Sequence, residues 1–138
     1  MKPVEVAEET RVAVETELDI VTARMRGRGL ALQLGFSRQT ATLIATAISE
    51  LARNMLLYAG RGEVLISALE RGTRHGVLVV ATDDGPGIPD VARALLDGYS
   101  TSGRLGLGLP GVRRLVDDFD LDSRLGEGTT VRVVKWSD

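Results

Sequence analysis

The sequence predicts an α/β domain in which a mixed or antiparallel sheet is covered by helices. Three observations predict it. Short β-type runs come in clusters, joined through glycine-bearing connections at Arg71–His75 and Gly126–Gly128. One long segment, Arg38 to about Tyr58, is rich in Ala, Leu, Ile and Met and lies between Ser37 and Gly60. The strands do not alternate one for one with helices, as a parallel βαβ sheet would require. At 138 residues the chain fits one compact domain, so residues 1–138 are read as a single unit.

Taken in order, Val4–Ala7 and Arg11–Val14 are β-type runs, forming an edge hairpin or one bent strand. Glu15 to about Leu34 has helical spacing at Leu18, Val21, Met25 and Leu30, weakened by Gly27 and Gly29 and stopped by Gly35. Ser37 is a suitable N-cap for the next helix, which is apolar around much of its circumference and therefore central. Glu63–Glu70 and Gly76–Thr82 read as strands. Asp83–Asp90 is a loop, Val91–Asp97 a short helix, and Gly98–Gly108 a glycine- and hydroxyl-rich loop. Leu109 to about Phe119 is helical, with Pro110 tolerated in its first turn. Strands Asp120–Leu125 and Thr129–Trp136 close the chain.

The composition excludes several classes of function. There is no cysteine, which removes disulfides, thiolate nucleophiles and Cys-based zinc sites and points to a reducing cytoplasm. A formal net charge of −2 offers no general attraction for nucleic acid or anionic membrane. The N-terminus lacks the apolar run of a signal peptide, and no stretch approaches a membrane span. The one histidine, His75, falls in an expected hairpin turn and reads as a plain surface residue.

Three local features can carry chemistry. Glu50 and Asn54 stand four residues apart on the strongest helix, so both side chains project from one face. A carboxylate there can act as a base and an amide oxygen can ligate Mg²⁺, although a solvated helix face has the same spacing. The apolar strand Val80–Thr82 runs straight into Asp83-x-Gly85-x-Gly87-Ile88. A carboxylate at a strand end can accept a hydrogen bond from an exocyclic amine, and glycines let the backbone approach a flat ligand. An ordinary strand-to-helix turn uses the same residues. Ser100–Leu109 is a flexible loop delivered onto a helix start, where bare N–H groups suit phosphate. Within it, Gly106-x-Gly108-x-x-Gly111 formally matches the dinucleotide fingerprint but lacks the preceding strand and βαβ unit. No Walker-type P-loop sequence is present.

The order of these features is more informative than any one of them. Glu50-x-x-x-Asn54, then Asp83-x-Gly85-x-Gly87, then Gly106-x-Gly108-Leu109, then Gly128-Thr129-Thr130 entering the last strand, resembles the GHKL ATPase superfamily over roughly Thr40 to Val134. That group contains gyrase B, Hsp90, MutL and the histidine kinases. The runs Ile48–Asn54, Asp84–Ile88, Tyr99–Gly103 and Gly108–Gly111 are similar, more narrowly, to small anti-sigma-factor type serine/threonine kinases of the stressosome switch-kinase branch.

The resemblance implies a Bergerat-type α+β sandwich, a mixed and mostly antiparallel sheet with helices packed on one face. It also implies ATP and Mg²⁺. By position, Glu50 would polarise the attacking hydroxyl and Asn54 would hold the metal. Asp83 would read the adenine amine, with Gly85, Gly87 and Ile88 lining the base and Thr129 fixing its edge. Gly106, Gly108 and Leu109 would face the phosphates. Many relatives place a lysine three residues after the asparagine; here that position is Leu57, which leaves phosphate charge to Mg²⁺, backbone amides and Arg104. Arg104 and Arg53 both stand open between phosphate contact and a solvated role. The implied partners are STAS-domain antagonist or scaffold proteins, phosphorylated on a hydroxyl, and a downstream phosphatase activated by the released kinase. Neither nucleic acid nor membrane is expected. An alternative is a non-catalytic, ATP-binding anti-sigma-like regulator acting by contact alone, which would predict loss of Glu50 or Asn54; both are present. A fragment that hydrolyses ATP and dimerises through its lid is a further reading, and it predicts extra domains.

Overall fold

The computed structural model describes residues 4–5, 9–88 and 108–137. The elements are β1 (Val4–Glu5), β2 (Thr10–Val14), α1 (Glu17–Gln33), α2 (Arg38–Tyr58), β3 (Gly62–Arg71), β4 (Arg74–Asp83), α3 (Gly108–Leu115), β5 (Asp118–Arg124) and β6 (Gly128–Trp136). The expected helix Val91–Asp97 and nearly all of the Gly98–Gly108 loop lie outside the described residues.

All described strand pairs are antiparallel, and the sheet runs β1–β3–β4–β6–β5, with β2 also on β3. Val4 pairs with Glu70 and Thr10 with Ile66, so β1 and β2 run the same way along one edge of β3. They form an interrupted edge strand, which settles the choice between a hairpin and a bent strand. Arg71 pairs directly with Arg74, so the β3–β4 connection is the two-residue turn Gly72-Thr73, tighter than the five-residue link expected. His75 therefore sits inside β4, half-buried, with its backbone N–H donating to Ser137 Oγ at 3.1 Å. It is not a turn residue.

The local reasons for both long helices are visible. Thr16 and Asp19 form a reciprocal capping box that starts α1, and Ser37 Oγ accepts the Thr40 N–H at 3.1 Å to start α2. α2 buries nine residues, among them Ile44, Ile48, Leu51 and Met55, which explains its apolar circumference. Both helices lie on one face of the sheet. Val64, Ile66, Val77, Val79, Ala81, Val131 and Val133 point toward them from alternate positions of β3, β4 and β6 and complete the main core. Burying each of these valine and isoleucine side chains contributes on the order of 2 kcal/mol. The opposite face carries a small second cluster of Leu69, Leu78, Val134 and Trp136. The Trp136 ring is flanked by the Arg71 and Arg74 guanidiniums, 4.5 and 5.7 Å from its centre, and Trp136 Nε1 donates to Asp118 Oδ2 at 3.1 Å.

One boundary differs from expectation. α3 ends at Leu115, and Phe119 belongs to β5. Asp117 N–H donates to Val134 O at 2.9 Å while the Asp117 carboxylate accepts the Trp136 N–H at 2.7 Å. β6 thereby captures the chain before the helix can extend. From there Phe119 and Leu121 face the core while Asp118, Asp120 and Asp122 are exposed, an alternation of period two.

Candidate functional site

The sheet brings together Asp83 and Thr129, the two residues expected to read a base. Asp83 ends β4, pairs with Thr129 at the start of β6, and Thr129 pairs in turn with Ser123 of β5. Directly paired residues share a face, and this row lies on the same face as Ala81 and Val131, the face that carries the helices. Asp83 Oδ1 accepts the Gly85 N–H at 2.9 Å, which turns the chain sharply out of β4. Among the described residues Oδ2 takes no hydrogen bond.

The glycine loop is packed against two other elements. A Cβ at Gly85 would stand 2.5 Å from Ala59 Cβ, at the end of α2. One at Gly87 would stand 2.4 Å from the Arg124 carbonyl oxygen. Gly126 N–H donates to Pro86 O at 2.9 Å, and Ile88 N–H donates to Ser123 Oγ at 2.7 Å. Gly85 and Gly87 therefore first make room for the protein's own chain, seating the loop between α2 and the β5–β6 hairpin. Gly128 is constrained most: its φ is +110°, and a Cβ there would lie 2.0 Å from the Asp83 carbonyl oxygen. That closeness is what lets β6 begin directly beside Asp83.

Glu50 and Asn54 come from α2, whose last turn abuts this loop through Ala59. Both are half-buried. The Glu50 side chain is 15% exposed, and its carboxylate accepts from Arg53 Nη1 at 3.0 Å. Arg53 is thus an ion-pair partner of Glu50 in this structure. Asn54 supplies a hard oxygen donor one turn further on. No cluster of three or more His, Cys, Asp or Glu residues suited to a metal occurs among the described residues. One amide oxygen fits Mg²⁺, an ion that keeps most of its shell for water and substrate phosphates.

Gly108 opens α3 and Leu109 follows; α3 packs on α2, and the Leu109 side chain joins the main core, so backbone is what this turn can offer a phosphate. Arg104 and Gly106 lie outside the described residues. Two contributors were missed by sequence reasoning. Ser123 is one, for a lone serine in an acidic strand carries no local signal. Gly128 is the other: it stood in the Gly-Thr-Thr motif, yet its contact with Asp83 was not foreseen.

Comparison with known proteins agrees with this fold. Residues 39–137 match the family described as histidine kinase-, DNA gyrase B-, and HSP90-like ATPase. The chain is 51% identical over 125 residues to the serine/threonine-protein kinase RsbT of Bacillus subtilis, covering 91% of this chain and 94% of the relative. It is 29% identical over 120 residues to the anti-sigma F factor of the same organism, covering 82% and 81%. Among solved structures it resembles the RsbU and RsbW domains of a Mycobacterium tuberculosis protein, with a TM-score of 0.62 and 18% identity. That match covers 94% of this chain but 32% of the other. It also resembles a mycobacterial sensor histidine kinase, with a TM-score of 0.55, 16% identity and coverage of 96% and 98%. At these identities the structural matches speak for the fold. No helix among the described residues is long and apolar enough to cross a membrane. The matched region spans every element from α2 to β6, and the chain belongs to the histidine kinase-, DNA gyrase B- and HSP90-like ATPase family.

Proposed function

We propose that the chain is a cytoplasmic serine/threonine protein kinase that transfers the γ-phosphoryl group of ATP to a hydroxyl of a small partner protein. The observation that carries this reading is the placement of Glu50. It is a half-buried carboxylate on α2, one turn from the Asn54 amide, on a helix whose end abuts the loop leaving Asp83. This supports a reading in which base recognition and proton acceptance share one side of one sheet. The 51% identity to a serine/threonine-protein kinase supports the same reaction.

In this reading Asp83 Oδ2 accepts a hydrogen from the adenine 6-amine, and Thr129 meets the neighbouring ring nitrogen. The substrate hydroxyl oxygen bonds to the γ-phosphorus as the bond to the β–γ bridging oxygen breaks, and ADP leaves. Glu50 takes the hydroxyl proton. Asn54 would hold Mg²⁺, which when bound neutralises phosphate charge. Such transfer needs positioning and charge compensation more than covalent help from the protein. As the motif resemblance implies, the acceptors are STAS-domain antagonist or scaffold proteins, and a downstream phosphatase is a second partner once the kinase is released.

The test uses labelled ATP, a STAS-domain acceptor and mapping of the phosphorylated residue. Asp83→Asn replaces an acceptor with an amide and removes a charge-assisted hydrogen bond worth about 1.5–3 kcal/mol, or roughly ten- to a hundredfold in affinity. Glu50→Ala should bind ATP normally yet lose transfer by roughly 10²- to 10⁴-fold. Undiminished ATP affinity in Asp83→Asn removes the adenine assignment. Normal transfer by Glu50→Ala removes Glu50 as the base.

A further inference from the structure

One hydroxyl holds three parts of the nucleotide end of the sheet together. Ser123 Oγ accepts the Ile88 N–H at 2.7 Å, lies 2.8 Å from Thr129 Oγ1 and 3.3 Å from the Gly128 carbonyl oxygen. These partners lie 35, 6 and 5 residues away in the chain. Ile88 ends the described part of the glycine loop, and Thr129 is the cross-strand neighbour of Asp83. Ser123 is half-buried on the face of β5 that carries Phe119 and Leu121 toward the core, so it looks into the site.

We propose that Ser123 is the positioning residue for base recognition, linking the glycine loop to Thr129 and presenting the Thr129 hydroxyl to the nucleobase. The inference rests on the nucleotide-site reading above. Its chemistry follows from counting protons. Ser123 has one O–H, and its oxygen already accepts from Ile88. With no ligand, Thr129 can donate to Ser123 while Ser123 donates toward Gly128 O. When Thr129 turns its proton to a ring nitrogen of the base, Ser123 rotates its own proton onto Thr129 Oγ1. The Ser123 and Thr129 hydroxyls keep a partner in both states, the Gly128 carbonyl gives up only its 3.3 Å contact, and Thr129 can serve as a donor beside the Asp83 acceptor. That donor–acceptor pair matches the edge of adenine, which offers an amine beside an unprotonated ring nitrogen. Guanine offers the reverse, with a carbonyl oxygen facing the carboxylate.

Alanine at 123 would orphan the Ile88 N–H and remove the partner that holds Thr129 in place. The damage is local to the base end, whereas Glu50 and Asn54 stand on α2. The experiment compares wild type, Ser123→Ala, Ser123→Thr and Asp83→Asn in the intact chain. For Ser123→Ala we expect the KM for ATP to rise about tenfold, on the scale of one lost hydrogen bond with an orphaned donor, while kcat at saturating ATP stays within about twofold. Inhibition by magnesium tripolyphosphate, which has no base, should be unchanged. Ser123→Thr, which keeps the hydroxyl, should stay within about threefold of wild type in KM. Equal losses toward ATP and tripolyphosphate would mean that Ser123 only supports the fold, and the proposal fails. It fails as well if Ser123→Thr behaves like Ser123→Ala, or if Ser123→Ala keeps a normal KM while Asp83→Asn loses ATP. If Asp83→Asn also binds ATP normally, the nucleotide-site reading itself is what falls.

Discussion

Gly126 and Gly128 stand two residues apart in the β5–β6 hairpin, both with positive φ, and alanine substitutions at the two should have different consequences. At Gly126 φ is +77°, and no heavy atom lies within 4 Å of where a Cβ would stand. Gly126→Ala therefore adds only left-handed backbone strain, about 1–2 kcal/mol. At Gly128 φ is +110°, and the added Cβ meets the Asp83 carbonyl oxygen at 2.0 Å, with Asp84 Cα at 3.0 Å. These obstacles are backbone, so no rotamer change relieves them. To bring 2.0 Å to an ordinary separation, β6 must retreat from β4 by about 1 Å at the Asp83–Thr129 pair. That distorts the row expected to read the base, on top of strain of about 1–3 kcal/mol. Gly128→Ala should lose about 3 kcal/mol or more in urea unfolding and at least tenfold in ATP affinity by calorimetry. Gly126→Ala should lose about half that stability and keep its ATP affinity within twofold. If Gly128→Ala binds ATP as well as Gly126→Ala does, Asp83 and Thr129 do not act together on the base, and the site assignment is refuted.

A second prediction concerns the seam that holds α2 in place. A Cβ at Gly27 of α1 would lie 2.1 Å from Ile48 Cδ1, with no other atom nearer than 3.6 Å. Gly27→Ala should destabilise by overpacking, about 1–3 kcal/mol less a helix gain of about 1, and Ile48→Val by about 1. The double variant exchanges one methyl for another and should return to wild-type stability or above; additive losses in a thermal-melt cycle would contradict this packing. A third concerns acid stability. The Asp19 carboxylate is held below the usual carboxylate range, first by the Glu15 N–H and further by Thr16, against an opposing effect of burial. A depressed folded pKa stabilises the fold above the unfolded value of about 4, and that contribution is lost as pH falls through the lower folded value. Asp19→Asn should therefore flatten the decline of Tm between about pH 4 and pH 2, and a variant whose Tm falls in parallel with wild type would remove the effect.

How much of this was legible depends on how far apart the interacting residues lie. α2 could be read to the residue because its signals are local: the Ser37 cap, the Ala- and Leu-rich run, and Gly60 beyond its end. β3 and β4 were legible as apolar runs, and the order of the motifs singled out Glu50, Asn54, Asp83 and Thr129 as candidates. What stayed hidden is long-range. The end of α3 is decided by Asp117, whose partners Val134 and Trp136 arrive nearly twenty residues later. The alternation Asp118-Phe119-Asp120-Leu121-Asp122 was a usable signal for β5 and would have moved Phe119 out of the helix.

The glycines of the Asp83–Ile88 loop show the same limit more sharply. Sequence reasoning assigned Gly85 and Gly87 to a flat ligand because glycine permits close approach. The close approaches found are to Ala59 and Arg124, chain segments from both directions along the sequence. A glycine reports that something must come near and leaves its identity open. Here the protein's own backbone comes near first, and that contact aims the loop. The edge proposed to read the base is then set by Asp83, Thr129 and Ser123, three cross-strand neighbours whose order in the sheet differs from their order in the chain. In the proposed reading, recognition of the base is a property of strand register, which is why changes at Gly128 or Ser123, neither of which need touch the nucleotide, should alter affinity for it.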